Sequence, residues 1–203
     1  MEKRIMIENN DIRLEAAVNE ADSGRAVVIT HPHPLYGGDM HNPVVAAISA
    51  VFSTQGVTTL RFNFRGTGQS SGRFDDGAGE QDDVRSAFGY LAENGFDDIF
   101  LAGYSFGSRI NASVVETGIQ ISDHIMVSPP AAFMSFDDID SLPGTGLVVT
   151  GSQDEIAPPG LVKAHLERWA ISPQFAVIDH CDHFYSGCLP ELSRIIGDYL
   201  KNR

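Results

Sequence analysis

The stretch that decides the fold lies near the middle of the chain and reads Leu101-Ala102-Gly103-Tyr104-Ser105-Phe106-Gly107-Ser108. This Gly-x-Ser-x-Gly segment follows an apolar run typical of a strand and precedes a helical pattern. A serine on such a tight strand-to-helix turn has a strained backbone, and flanking glycines relieve the crowding. The turn presents the Ser105 hydroxyl above the sheet, where the next helix also directs its amino-terminal N–H groups. We predict that Ser105 is a nucleophile; the alternative is a glycine-rich turn with a capping serine.

Short apolar runs alternate with amphipathic segments along the rest of the chain. Consecutive Val, Ile, Leu and Phe positions are typical of strands buried on both faces of a parallel sheet. They predict strands at residues 26–30, 58–62, 98–102, 124–127, 146–150 and 174–178. Helical spacing of apolar residues predicts helices around residues 84–92 and 189–200. Three further segments have a weaker pattern but lie where the alternation requires helices, at residues 43–53, 106–117 and 159–169. The alternation predicts a doubly wound, mostly parallel α/β sheet, with an antiparallel hairpin of residues 4–8 and 12–18 at one edge.

Composition narrows the classes of partner. The 203 residues contain no repeat or linker, so we expect a single domain over residues 1–203. A net charge of −13 repels nucleic acids and anionic lipids, and neither is an expected partner. The amino terminus lacks the apolar region of a secretory signal and no apolar run approaches the roughly 20 residues of a membrane span. We expect a cytoplasmic protein in which Cys181 and Cys188 are free thiols.

A serine nucleophile needs an acid that orients its base, and both are expected after later strands. The strand at 146–150 leads into a polar turn that contains Asp154 and is closed by two prolines. Asp154 is the predicted acid. The alternatives are its neighbour Glu155 and an acidic loop that is more typical of a solvated surface, with Asp137, Asp138 and Asp140.

The predicted base is His183, in the loop after the strand at 174–178. It lies 29 residues beyond Asp154, which leaves room for one helix and one strand between the two loops. His180 is the alternative, but it is closer to the strand, whereas His183 lies further along the loop and is followed by apolar residues.

Acyl transfer also requires N–H donors for the developing oxyanion. Phe106, directly after the serine, supplies one backbone N–H. The second is expected from the loop at 31–38, where prolines leave His33 or Leu35, and His33 aligns better. The His31-x-His33 pair also suggests a metal site, but no strong third ligand is placed, so we predict no metal and a buried His31 bonded to backbone.

These segments resemble the α/β-hydrolase superfamily, in particular its small, lid-less bacterial members, over nearly the whole chain. His31-Pro32-His33-Pro34 with Gly37-Gly38 resembles the family's oxyanion loop, although many members have His-Gly where this chain has His31-Pro32. Residues 63–70, Asn-Phe-Arg-Gly-Thr-Gly-Gln-Ser, resemble the loop after the next strand, and residues 79–83 resemble the start of the following helix. The resemblance implies an α/β-hydrolase fold and the same triad of Ser105, Asp154 and His183. Residues 128–145 are too few for a cap domain, so we expect an open site.

The predicted function is carboxylesterase-like cleavage of small or medium acyl esters through an acyl-enzyme intermediate, without a cofactor. The substrate is expected to be a small-molecule ester or thioester. A thioesterase or peptidase with the same triad, and a non-catalytic binding protein of the same fold, are the alternatives. Candidates for the apolar acyl pocket, each also compatible with an ordinary core position, are Leu35, Tyr36, Phe106, Phe133, Met134, Ile156, Phe184 and Tyr185.

Overall fold

The computed structural model describes residues 2–9 and 11–203. Within them, eight strands form one sheet, in the order β1-β2-β4-β3-β5-β6-β7-β8. The strands are β1 (Lys3–Asn9), β2 (Ile12–Asn19), β3 (Arg25–Thr30), β4 (Thr58–Phe62), β5 (Asp98–Tyr104), β6 (Asp123–Val127), β7 (Thr145–Gly151) and β8 (Gln174–Ile178). The α-helices are α1 (Pro43–Thr54), α2 (Ala78–Glu93), α3 (Phe106–Glu116), α4 (Pro159–Arg168) and α5 (Leu189–Leu200).

The sheet is parallel from β4 to β8, and the predicted hairpin adds its antiparallel edge. Strands β4, β3, β5, β6, β7 and β8 pair in parallel with their neighbours. Strand β1 pairs antiparallel with β2, and β2 pairs antiparallel with β4. The doubly wound fold class and the edge hairpin are therefore confirmed.

Helices cover both faces of this sheet. Helices α1 and α5 pack on one face with an apolar core that includes Ile48, Phe52 and Leu192. Helices α2, α3 and α4 pack on the other, where the core includes Val84, Ile110 and Leu166. Because both faces are covered, the central strands have the continuous apolar sequences from which a parallel sheet was predicted.

Strand β8 departs from the prediction that every parallel strand is buried on both faces. Gln174 and Val177 are exposed, Val177 to 44%, and within β8 only Ile178 is buried. The reason is topological: β8 is the last strand of the sheet and pairs on one side only, with β7. An apolar run does not reveal whether its strand lies at the centre of a sheet or at its edge.

The loops after β3, β5, β6, β7 and β8 lie at the carboxyl edge of the parallel strands, where α/β sheets bind ligands. In the described chain, residues 128–144, between β6 and β7, contain no helix and form no cap. Part of this segment packs against the core through Phe136, Ile139 and Leu142. Among the residues that the structure describes, no helix combines the length and apolarity that a membrane span requires.

Candidate active site

Ser105 occupies the sharp turn between β5 and α3. Its backbone has φ 52°, in the left-handed region, and its N–H donates to the Val127 carbonyl at 2.9 Å. The neighbouring glycines are required by space: a Cβ on Gly107 would lie 2.5 Å from Thr30 Oγ1, and one on Gly103 would lie 2.6 Å from the Ser108 nitrogen. Close packing of this turn against β3 and α3 therefore accounts for the Gly-x-Ser-x-Gly pattern.

The structure brings Ser105, His183 and Asp154 into one hydrogen-bonded line. Ser105 Oγ lies 2.9 Å from His183 Nε2. On the other side of the ring, His183 Nδ1 lies 2.9 Å from each of Asp154 Oδ1 and Oδ2. All three residues are buried. A proton on Nδ1, shared with the carboxylate, leaves Nε2 free to accept the proton of the serine hydroxyl.

Asp154 is held ionised by hydrogen bonds. Burial, the largest single influence on its pKa, opposes ionisation, but hydrogen bonds from His183, Ala157 and Ser128 and the charge of His183 outweigh it. The net result is a pKa below the ordinary value. Oδ1 accepts the backbone N–H groups of Ile156 at 3.0 Å and Ala157 at 2.7 Å. The turn that the two prolines close thus positions the carboxylate and stabilises its charge.

The loop that carries His183 is fixed from two sides. The Tyr104 hydroxyl donates to the His183 carbonyl at 2.8 Å, and the Gln153 N–H donates to the Cys181 carbonyl at 2.9 Å. The loop approaches β7 so closely that a Cβ on Gly151 would lie 2.2 Å from the Cys181 oxygen. Both cysteines, Cys181 and Cys188, are free thiols, as predicted.

The alternative acids and base lie elsewhere. His180 is exposed, and its backbone N–H donates to Ser152 Oγ. Glu155 is also exposed. In the acidic loop, Asp140 is exposed, Asp137 pairs with Arg168 at 3.1 Å, and Asp138 pairs with Arg109 at 2.6 Å. These arginine pairs tie the loop to α3 and α4, so Asp137 and Asp138 are not part of a freely solvated surface.

Phe106 and His33, whose backbone N–H groups are the predicted oxyanion donors, line the same cavity as Ser105. The N–H of Phe106 begins α3, and that of His33 lies in the loop after β3; among the described residues neither has a hydrogen-bond acceptor. The N–H of Leu35 instead donates to His33 Nδ1 at 3.2 Å. Of the two predicted candidates for the second donor, Leu35 is therefore engaged within the loop, whereas the His33 N–H is free among the described residues.

His31 is a fully buried residue bonded to backbone, as predicted. Its Nδ1 lies 2.7 Å from the Pro32 carbonyl, and its Nε2 accepts the Phe64 N–H at 3.0 Å. Burial lowers its pKa to about 4, so the ring is neutral at pH 7. Both ring nitrogens are used in holding the loop, which leaves neither for a metal ion.

An apolar cavity of about 420 Å³ opens beside the Ser105 hydroxyl. The His33 ring and Pro130 line it, together with six of the eight predicted pocket residues: Tyr36, Phe106, Phe133, Met134, Ile156 and Phe184. Leu35 and Tyr185 were wrongly placed in this pocket. Leu35 is 67% exposed on a short 3₁₀ turn, and Tyr185 is 1% exposed because its ring belongs to the core on the α1 and α5 face of the sheet. Residues that are neighbours in sequence point in different directions on a turn. Nearness to the site along the chain therefore does not predict which side chains line the cavity.

Three residues of this region were not singled out from the sequence. Pro130 lines the cavity, Tyr104 anchors His183, and Ser128, which helps to lower the pKa of Asp154, has its Oγ 2.9 Å from the Tyr185 hydroxyl oxygen. Ser128 and Pro130 directly follow β6, and a polar residue at a parallel strand's carboxyl end is the signal that would have marked Ser128.

Comparison with known proteins identifies the family. No protein-family model matches the chain. An uncharacterised protein of Rickettsia prowazekii is 34% identical over 200 residues, which cover 93% of this chain and 84% of that protein. An alpha-beta serine hydrolase homologue from Coxiella burnetii is 33% identical, with a TM-score of 0.91 over 98% of this chain and 97% of that one. The chain belongs to the α/β-hydrolase superfamily. A second α/β-hydrolase, a serine hydrolase without a lid from Xanthomonas campestris, is 29% identical, with a TM-score of 0.92 over 99% of this chain and 94% of that one.

More distant α/β-hydrolases share the fold alone. An esterase from Pyrococcus furiosus is 18% identical, with a TM-score of 0.84 over the whole of this chain and 92% of that one. The lid-less relative matches the absence of a helix in residues 128–144 described above.

Proposed function

We propose that this protein is a serine carboxylesterase that cleaves small or medium esters with apolar acyl groups through an acyl-enzyme intermediate. The observation that carries the proposal is the line from Ser105 through His183 to Asp154 at the mouth of an apolar cavity. The more similar serine hydrolases from Coxiella burnetii and Xanthomonas campestris support the reaction class.

In the first step, Ser105 Oγ attacks the ester carbonyl carbon while its proton passes to His183 Nε2. The carbonyl oxygen becomes an oxyanion and accepts the N–H groups of Phe106 and His33. Asp154 keeps the Nδ1 tautomer in place and stabilises the imidazolium that forms. When the tetrahedral intermediate collapses, the carbon–oxygen bond to the alcohol breaks and His183 gives its proton to the leaving oxygen.

In the second step, His183 Nε2 takes a proton from water, whose oxygen attacks the acyl carbon. Collapse of this second intermediate releases the carboxylic acid and returns the proton to Ser105. The same two N–H groups serve both oxyanions, so one donor set suffices for the cycle.

The size and lining of the cavity indicate which kind of acyl group the site can bind. Its volume lies in the range of about 300–1,000 Å³ that is usual for small-molecule sites. Aromatic rings line it: Tyr36 meets Phe133 edge to face at 5.8 Å between centroids, and the His33 ring is 4.7 Å from that of Phe106. With no cap over residues 128–144, the site accepts substrates from solvent. Burial lowers the pKa of His33, so this wall of the cavity is uncharged at pH 7.

A panel of p-nitrophenyl esters of increasing acyl length tests the proposal. We expect turnover by the wild-type protein, loss of turnover in Ser105→Ala, and a maximum of kcat/KM at short or medium acyl length. A matched control is Ser108→Ala, since Ser108 lies one turn further along α3 and, among the described residues, its hydroxyl donates only to the Ser105 carbonyl. Equal rates in wild-type protein and Ser105→Ala would contradict the proposal.

A further inference from the structure

Three aromatic rings from three different loops meet at one wall of the apolar cavity. The ring centroids are 4.7 Å apart for His33 and Phe106, 5.0 Å for His33 and Phe74, and 5.9 Å for Phe74 and Phe106. Each ring therefore contacts the other two, at the separations that aromatic pairs prefer. His33 follows β3 and Phe106 begins α3, whereas Phe74 belongs to the loop between β4 and α2. We call these three residues the ring triangle.

The loop between β4 and α2 holds Phe74 in place from both sides. Before it, a Cβ on Gly66 would lie 2.9 Å from the Cα of the residue that precedes Phe74, so the loop folds back closely on itself. After it, the buried Glu80 carboxylate accepts the backbone N–H groups of Asp75 at 3.0 Å and Gly77 at 2.8 Å. The backbone of Phe74 is thus fixed by its neighbours, and its ring has a defined place.

The other two members of the ring triangle carry the backbone N–H groups to which the proposed function assigns the oxyanion. The His33 ring is tied to its own loop, because Nδ1 accepts the Leu35 N–H and the His33 carbonyl accepts the N–H groups of Tyr36 at 3.1 Å and Gly38 at 3.0 Å. A shift of the His33 ring relative to that of Phe106 therefore also shifts the two N–H groups relative to each other.

We propose that Phe74 is a positioning residue, which sets the separation of the His33 and Phe106 N–H groups by packing against both of their rings. The inference rests on the proposed function, in which these two groups stabilise the oxyanion. Phe74 is not among the described residues that line the cavity, so its side chain acts through its two neighbours. Its loss is expected to weaken transition-state stabilisation and to leave ester binding unchanged.

Two variants at position 74 test this proposal. Phe74→Leu keeps an apolar side chain at a half-buried position and removes the ring, and Phe74→Ala removes the packing altogether. We expect Phe74→Leu to lower kcat about tenfold at unchanged KM, and Phe74→Ala to lower it further. The expected loss is smaller than the roughly 10²–10³-fold cost of removing one oxyanion donor, because both N–H groups remain and only their placement changes.

Phe96→Leu is the matched control. Phe96 is also a half-buried phenylalanine that packs against the core beneath α2, α3 and α4. It lies between α2 and β5, at the edge of the sheet opposite the Ser105 turn. We expect this change to lower thermal stability and leave kcat unchanged. If Phe74→Leu and Phe74→Ala are folded and keep kcat within twofold of the wild-type value, the proposal is overturned.

A pair of inhibitors reports on the oxyanion donors without turnover. When a trifluoromethyl ketone with a butyl chain binds, Ser105 Oγ adds to the carbonyl carbon, the serine proton passes to His183 Nε2, and the ketone oxygen becomes the oxyanion. The matching methyl ketone has the same chain but is too weakly electrophilic to form this adduct. We expect Phe74→Leu to weaken binding of the trifluoromethyl ketone about tenfold and to leave that of the methyl ketone unchanged, whereas Phe96→Leu alters neither.

This inference and the proposed function fail in different ways. If the wild-type protein hydrolyses esters and Phe74→Leu matches it in kcat and in inhibitor binding, the positioning role alone is overturned. If the wild-type protein fails to hydrolyse esters but prefers the trifluoromethyl ketone, and this preference falls in Phe74→Leu, the proposed function is contradicted and the positioning role is supported. A wild-type protein that neither hydrolyses esters nor shows this preference overturns both.

Discussion

Replacing Asp154 by Asn tests the most specific consequence of the site geometry. Oδ1 is engaged by the backbone N–H groups of Ile156 and Ala157. In Asp154→Asn the amide oxygen takes this place, because only an oxygen accepts both bonds. The NH₂ group then occupies the position of Oδ2, 2.9 Å from His183 Nδ1.

Nδ1 then lies 2.9 Å from both the amide oxygen and the NH₂ group. The oxygen is already occupied by two backbone N–H groups and carries no charge, whereas the NH₂ group donates, so Nδ1 becomes an acceptor and the imidazole proton moves to Nε2. The ring then presents an N–H to Ser105 Oγ and no longer takes its proton. The backbone and the side-chain volume are unchanged, so the defect lies in the tautomer. Loss of the correct tautomer costs about 10⁴-fold in kcat, or about 5 kcal/mol of transition-state stabilisation.

The assay is steady-state hydrolysis of p-nitrophenyl butyrate, with circular dichroism to verify folding. Glu155→Gln is the matched control, since it removes an exposed carboxylate at the next position. We expect the control to retain wild-type kcat and Asp154→Asn to retain KM. A folded Asp154→Asn protein with kcat within threefold of the wild-type value would refute the reasoning and direct attention to Glu155.

Three further predictions concern stability and loop placement. Burial lowers the pKa of His124 to about 3, so between this value and 6.5 the unfolded chain binds a proton that the folded protein does not. Urea titrations should therefore give a free energy of unfolding that falls as the pH drops from 7 to 5, by about 2 kcal/mol from this residue, and His124→Asn should remove that part of the slope. Arg65 forms an ion pair, 2.7 Å long, with the fully buried Asp83. We therefore expect Asp83→Asn to lower the free energy of unfolding by about 3 kcal/mol, because the change leaves the Arg65 charge without its partner. An unchanged urea midpoint would show that the pair contributes nothing to stability. Gly151→Ala places a Cβ against the loop of the proposed base, so kcat should fall at least tenfold while the fold persists; wild-type kcat in this variant would mean that the loop accommodates the methyl group.

Local patterns predicted the strands, the helices and the serine turn well. Each parallel strand carries its own apolar run, and the space around Ser105 demands glycines within two positions of it. Polar loops after β7 and β8 contain few acids and histidines, so the sequence leaves few alternatives to Asp154 and His183. The structure brings both to Ser105.

What the sequence did not reveal depends on contacts between distant segments. Ser128 and Tyr185 are 57 positions apart, and no local pattern links their hydroxyls. Leu35 and Tyr185 resemble pocket residues by type and place in the chain, yet the turn exposes one and the core buries the other. Strand β8 has exposed residues because it is an edge strand of the sheet, and the position of a strand in a sheet depends on the whole topology.

Covalent labelling of Ser105 tests the central claim most directly. A fluorophosphonate probe reacts with a serine that an adjacent base activates, and peptide mass spectrometry locates the adduct. We predict a single adduct on Ser105, none in Ser105→Ala, and slower labelling in His183→Gln. Failure of the native protein to label, with Ser105→Ala indistinguishable from it, would contradict the account.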